Sequence, residues 1–253
     1  MTTRRVRLIG IGPGHPDQVT VEAVRALNDV DYFIVSDKSN GTEDLIRLRE
    51  EICRQHVDGD ARFVSVRDPE RDRTVSSSDQ AAYDKAVEDW HEARAEVYEQ
   101  ALIGNPGDAG FLVWGDPAFY DSTIRIVERI LARGNVDFDY DVIPGISSPQ
   151  LLAARHKIVL HGIGEPFTVT TGRRLAEAVD AGHDNIVVML NARFEAQSLK
   201  GDWDIWWGAN LGTKDEVLIA GRLADVTAEI EAARATAKAK AGWIMDIYLL
   251  KRR

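Results

Sequence analysis

Three glycine- and proline-rich turns hold the residue types in this chain that could do chemistry. The first is Gly10-Ile11-Gly12-Pro13-Gly14-His15-Pro16-Asp17, between an apolar run and a helical pattern. A glycine-rich turn from strand to helix suggests a nucleotide. However, His15 stands where the dinucleotide fingerprint needs its third glycine, and the Lys-Ser/Thr pair of a P-loop is missing. Pro13 has no N–H to offer a phosphate. The turn suits close approach of a ligand to bare backbone, and an ordinary tight turn reads the same way. The second is Trp114-Gly115-Asp116-Pro117-Ala118-Phe119-Tyr120 at the end of an apolar strand pattern. Strand ends at the carboxyl edge of a parallel sheet are where α/β proteins bind ligands, although Asp-Pro is also a common turn. The third is Val142-Ile143-Pro144-Gly145-Ile146-Ser147-Ser148, where a strand breaks and Ser147 or Ser148 could cap a helix.

The elements that must position these turns alternate. Strand patterns fall at 6–11, 32–35, 111–114, 138–143, 167–170, 186–190, 217–220 and 243–250. The first four are mostly continuous apolar runs, as in strands buried on both faces. Helical patterns fall at 20–27, 42–54, 78–102, 124–133, 147–156 and 223–238. In 78–102 the residues Ala82, Ala86, Trp90, Ala93, Val97 and Ala101 recur at helical spacing and predict one amphipathic helix. The polar block 58–78 reads as a surface connection. Alternating strands and helices predict an α/β protein of two domains. These are 1–144, with a mostly parallel sheet, and 145–253, with a mixed sheet, each with flanking helices.

Composition narrows the function classes. The formal net charge is −10, which argues against nucleic acid as a partner, because phosphate contacts need a basic surface. No apolar run reaches the roughly 18 residues of a membrane span, and the first residues do not read as a signal peptide. With Cys53 the single cysteine, no internal disulfide can form; cytoplasmic residence is the expectation. The six histidines show no ligand spacing, and no metal is expected.

The three turns, in this order at strand ends, resemble the tetrapyrrole methylase family. That family has a GxGPGxP-type loop, a strand ending in GDP before an aromatic residue, and a PG[IV][ST]S turn. The run Asp31-Tyr32-Phe33-Ile34-Val35-Ser36-Asp37 is similar to the family's second strand. Further segments resemble its acetate-releasing branch: Gly164-Glu165-Pro166, Thr170-Thr171-Gly172-Arg173-Arg174-Leu175, Tyr120-Asp121-Ser122-Thr123 and Trp207-Gly208-Ala209-Asn210-Leu211-Gly212-Thr213. The resemblance implies two α/β domains with S-adenosylmethionine folded in the cleft between them, leaving as S-adenosylhomocysteine. Cofactor contacts are then expected at Pro13, Trp114, Gly115, Asp116, Phe119, Ser147, Ser148, Leu190 and Gly221. The implied reaction moves one methyl group to C-1 of precorrin-5, a corrin precursor, and releases acetate.

Asp37 occupies the family position of a proton acceptor and is the first candidate base; a strand-end cap is its bland reading. His15 and Tyr120 are weaker candidates. Arg173, Arg174, Arg193, Arg155 and Lys38 could pair with substrate carboxylates, although each alone reads as a solvated charge. Trp203, Trp206 and Trp207 read as core or interface. The resemblance also implies a homodimer. Rival readings are another corrin-ring methyltransferase, an rRNA or protein methylase of the same fold, and a non-catalytic tetrapyrrole carrier. The carrier would lack the cofactor loops, which are present here.

Overall fold

The computed structural model describes residues 3–37, 43–70, 80–242 and 244–253. The chain forms two compact units. Met1–Gly12 with Pro16–Ile146 make the first, and Pro13–His15 with Ser147–Arg253 make the second.

The first unit is built on five parallel strands: β1 (Arg5–Gly10), β2 (Tyr32–Asp37), β3 (Phe63–Arg67), β4 (Ala109–Val113) and β5 (Asp139–Ile143), in the order β3-β2-β4-β1-β5. Strand alternation sends side chains to two cores. Val6, Leu8, Tyr32, Ile34, Phe111 and Val113 pack under α3 (Gln80–Gly104) and α4 (Thr123–Arg133). Ile9, Phe33, Leu112 and Ile143 pack under α1 (Val21–Asn28) and α2 (Glu43–His56). Burial on both faces is why these strands read as continuous apolar runs. The β1–α1–β2 connection steps over β4 on one face, and the β4–α4–β5 connection steps over β1 on the other. The carboxyl ends of β1 and β4 therefore flank a topological switch point, where a crevice opens in doubly wound sheets.

The second unit is mixed. Its strands β6 (Thr168–Thr171), β7 (Asn185–Met189), β8 (Trp203–Ala209), β9 (Val217–Arg222) and β10 (Asp246–Arg252) lie in the order β6-β7-β10-β8-β9, with only β6 and β7 parallel. Helix α5 (Ser148–His156) packs Leu151 and Leu152 on Val187, Met189, Ile247 and Leu249. On the opposite face α6 (Leu175–Asp180) and α7 (Leu223–Ala241) pack on Ile186, Val188, Ile205, Trp207, Tyr248 and Leu250.

Four local expectations need correction. The 58–78 block is not all connection, because its residues 63–67 form the edge strand β3, which buries only Val66. A single buried side chain leaves a strand polar enough to pass for a loop. Residues 203–209, read only as aromatic core or interface, form β8; Trp203, Ile205 and Trp207 point to the α6/α7 face, while Trp206 packs half-buried against the α5 core on the other face. The short helix α6 was not anticipated. In α3 the deepest stripe is His91, Ala95, Tyr98, Glu99 and Leu102, while Ala93, Val97 and Ala101 are half-buried. Glu99 tolerates burial because Arg133 Nε donates to it at 3.1 Å and Asn135 Nδ2 at 3.2 Å. The expected element ends at Thr42, Ser78 and Trp243 lie outside the described residues.

Candidate active site

In the first unit the three glycine turns meet over the carboxyl ends of β1, β4 and β5. Gly12 and Gly115 form an antiparallel bridge, with Gly115 N donating to Gly12 O at 2.9 Å and Gly12 N to Gly115 O at 3.2 Å. A Cβ on Gly145 would stand 2.1 Å from Gly115 O and 2.8 Å from Gly10 C, so this approach is open only to glycine. Gly115 differs. Its φ of +69° calls for glycine, but a Cβ there would meet nothing nearer than Ile146 O at 4.0 Å, so the space above it is open.

Asp116 locks this arrangement. Its Oδ2 accepts from Gly145 N at 2.9 Å and its Oδ1 from Ala118 N at 2.8 Å. Beyond it Phe119 and Tyr120 are exposed large side chains, and Tyr120 holds a left-handed φ of +51°. Trp114 is half-buried on the α1/α2 side of the sheet. Asp37 ends β2, with its backbone in register with Arg67. The Asp37 side chain and Lys38 lie outside the described residues. Burial pushes the Cys53 thiol up to about 12, which removes it as a nucleophile.

In the second unit Pro13 and Gly14 are buried. A Cβ on Gly14 would lie 3.0 Å from Thr213 Cγ2 and 3.1 Å from Leu211 O, so that turn too is closely packed. His15, next to them, is exposed. Ser147 is buried and caps α5 in partnership with Gln150, whose Oε1 accepts from Ser147 N at 2.8 Å and from Ser147 Oγ at 2.9 Å. Ser148 begins the helix and is half-buried.

Leu190, just beyond β7, is 62% exposed at a left-handed φ of +55°. An exposed aliphatic residue in that conformation is strained, and such strain gathers at ligand sites. Asn210, just beyond β8 at the same end of the sheet, has φ +49°. Gly221 is elsewhere. The ladder Gly221–Ile205–Leu250–Ile186 puts it four residues back along the strands from Leu190 and three strands across. That is about 13 Å along the sheet and about 14 Å across it.

Of the candidate arginines, Arg173 and Arg174 are exposed in the 3-10 turn Gly172–Arg174 after β6, with Arg174 paired to Glu177 at 2.9 Å. Arg155 pairs with Glu216 at 2.8 Å. Arg193 lines a cavity of about 210 Å³ with Glu231, Arg234 and Lys238. Behind it lies a group that sequence reasoning missed. Asp246 Oδ2 accepts from Trp207 Nε1 at 2.9 Å and pairs with Arg234, and Asn191 Nδ2 donates to Asp246 O at 3.1 Å. Burial raises the Asp246 carboxyl, and Arg234 opposes that shift. The available signal was one acidic residue within the apolar run Ile244-Met245-Asp246-Ile247-Tyr248. Among the described residues no three His, Cys, Asp or Glu side chains converge as a metal site, and no helix is long and apolar enough to cross a membrane.

The chain belongs to the family of Tetrapyrrole (Corrin/Porphyrin) Methylases, which it matches over residues 5–227. It is 46% identical over 254 residues to a precorrin-6A synthase (deacetylating) from Sinorhizobium sp, covering 98% of this chain and 95% of that protein. A solved structure of a cobalamin synthesis related protein, CobF, from Corynebacterium diphtheriae aligns with TM-score 0.80 and 33% identity over 99% of both chains. Uroporphyrin-III C-methyl transferase from Thermus thermophilus, crystallised with S-adenosyl homocysteine, shares the fold at TM-score 0.58 and 19% identity over 98% of this chain and 97% of that one.

Proposed function

We propose that this chain methylates precorrin-5 at C-1 and releases the extruded acetyl group as acetate, giving precorrin-6A, with S-adenosylmethionine as methyl donor. The observation that carries a donor site is the meeting of the turns after β1, β4 and β5, with open space over Gly115. The near full-length similarity to a precorrin-6A synthase supports the ring carbon and the acetate. The residues fit such a donor. In the first unit Trp114 and Phe119 offer apolar surface to an adenine and there is room over Gly115; in the second unit Pro13 and Leu190 are apolar and Ser148 adds a hydroxyl. Asp116 serves by holding the turns, since both its oxygens accept backbone N–H groups. Ser147 serves likewise by starting α5. Gly221 is left out of the proposed site because of its distance from Leu190.

Bound S-adenosylmethionine would supply a methyl already activated on a positively charged sulfur. The protein's part is then mainly to orient the ring carbon and to manage protons. Asp37 is the proposed proton acceptor, with His15 and Tyr120 as further candidates. Arg173, Arg174 and Arg193 are proposed to pair with ring carboxylates. One S–C bond breaks and one C–C bond forms. Water adds to the acetyl carbonyl and loses its protons, the acetyl–ring bond breaks to yield acetate with its electron pair left on the ring, and that pair forms the C–C bond to the methyl while the S–C pair leaves with the sulfur.

Mass spectrometry of the product from enzymatically generated precorrin-5 and S-adenosylmethionine tests the proposal. Gain of one methyl with loss of the acetyl group, and acetate in solution, is expected. Methyl gain without acetate would move the reaction to another ring carbon. A homodimer belongs to the same reading and rests on family resemblance, and light scattering tests it; a cytoplasmic location is proposed from the single cysteine and the polar first residues.

A further inference from the structure

The long helix α3 carries no family motif, yet it reaches the turn that bears Phe119 and Tyr120. Ser122 is the N-cap of α4, but its hydroxyl makes no capping bond; Arg94 Nη1 donates to its Oγ at 3.1 Å instead. The N–H of Thr123 is satisfied by Asp121 Oδ1 at 2.7 Å. An N-cap serine usually spends its oxygen on its own helix, so this diversion ties the helix start to α3.

Arg94 is itself firmly held. Its Nε lies 2.8 Å from Asp68 Oδ1, with side chains 12% and 8% exposed, and its guanidinium stacks over the Trp90 ring at 4.8 Å and the Tyr98 ring at 5.1 Å. It also donates to Tyr98 OH, and Trp90 Nε1 donates to Pro69 O at 3.0 Å, fastening the same helix to the segment after β3. The 116–122 turn is thus pinned at both ends, by Asp116 in front and by Arg94 behind. Between the pins Tyr120 keeps a left-handed backbone, which a tyrosine holds only when its surroundings dictate it.

We propose that Arg94 is a positioning residue that fixes the 116–122 turn through Ser122 Oγ, and so sets where Phe119 and Tyr120 stand toward the macrocycle. The role rests on the methyltransferase reading above. It needs the planar fork of arginine, because one lysine nitrogen cannot reach Asp68, Tyr98 and Ser122 together.

The test compares wild type, Ser122→Ala, Ser122→Thr and Arg94→Lys. Three quantities are read: steady-state methyl transfer to precorrin-5, affinity for S-adenosylhomocysteine, and the 19F NMR signal of Tyr120 in 3-fluorotyrosine-labelled protein, assigned by its loss in Tyr120→Phe. Ser122→Ala removes the bond from Arg94 but no capping bond and leaves the Asp68–Arg94 pair in place, so its melting midpoint should fall by no more than about 4 °C. Its kcat/KM should fall about tenfold, mostly through KM for precorrin-5, while the Tyr120 signal broadens or splits. Arg94→Lys should show the same pattern, and Ser122→Thr, which keeps the hydroxyl, should restore both activity and signal. Wild-type kcat and KM in Ser122→Ala with an unchanged Tyr120 signal would overturn the proposal. If wild type itself transfers no methyl to precorrin-5, the proposed reaction fails. The 19F comparison then decides the positioning role by itself: a disturbed Tyr120 signal in Ser122→Ala upholds it, and an unchanged one ends it.

Discussion

The two units present their candidate ligand residues by different means. In the first, backbone does the work: glycines let three turns touch, and one carboxylate ties them together. In the second, side chains do it. Ser147 and Gln150 start a helix, Leu190 is held exposed in a strained conformation, and Asp246 is buried against Arg234. A site made of backbone tolerates almost no added atom, whereas a site made of side chains tolerates reshaping but not the loss of a partner.

The largest expected effect tests the second half of that contrast. Arg234→Met leaves Asp246 buried without its cation and should cost about 3–5 kcal/mol near neutrality, read by urea unfolding. In the wild type the Asp246 carboxyl titrates above its ordinary range because burial outweighs Arg234. Its contribution to stability is therefore fully present below the unfolded value and is lost as pH rises through the folded one. Without Arg234 that dependence should steepen, so the variant's deficit should be smaller at about pH 5 than at about pH 8. An equal deficit at both would mean that Asp246 is not the group left exposed to the penalty.

Gly145→Ala tests the first half. With backbone atoms at 2.1 and 2.8 Å from the new methyl, a loss of about 3 kcal/mol is expected, with cofactor binding lost as the turns part. Gly115→Ala sharpens the point, because its obstacle is φ rather than crowding. Stability should fall by about 1–2 kcal/mol, while calorimetric affinity for S-adenosylhomocysteine falls further, since the methyl enters the open space. If Gly115→Ala binds as wild type does, the ligand does not lie there.

Leu190→Gly should leave stability within about 1 kcal/mol of wild type, relief of left-handed strain offsetting backbone entropy, while affinity for S-adenosylhomocysteine falls roughly tenfold through lost apolar contact. Arg174→Ala should change stability by less than about 0.5 kcal/mol, because its pair with Glu177 is exposed. A rise in KM for precorrin-5 alone would assign Arg174 to the substrate.

The same contrast explains what was legible in the sequence alone. The first unit was legible because glycine and proline mark backbone geometry directly, and because strands covered on both faces are unbroken apolar runs, as in β1 and β4. β3 escaped notice since an edge strand that buries only Val66 looks like polar linker. β8 alternates as Trp203, Ile205 and Trp207 against Asp204 and Trp206, a strand signature that the weight of aromatic residues concealed. The Arg94–Ser122 tie and the Asp246–Arg234 pair join residues on different elements, 28 and 12 positions apart, and neither end carries a local mark of the other. Leu190 was found through resemblance; its strained φ leaves no trace in residue type, whereas Asn210, of a type that tolerates a left-handed backbone, does leave one.

The company kept by Pro13–His15 has a consequence for how the molecule is made. These three residues precede most of the first unit in the sequence, yet they belong with the second unit, where Gly14 sits against Leu211 and Thr213. Their partners lie about 200 positions later, a contact of very long sequence separation and so late to form. The first glycine turn must wait, incompletely packed, until the segment that carries Leu211 and Thr213 has been synthesised. A truncated product that has folded its parallel sheet would still lack a finished cofactor loop, so premature termination should yield protein with a formed sheet but no grip on the methyl donor.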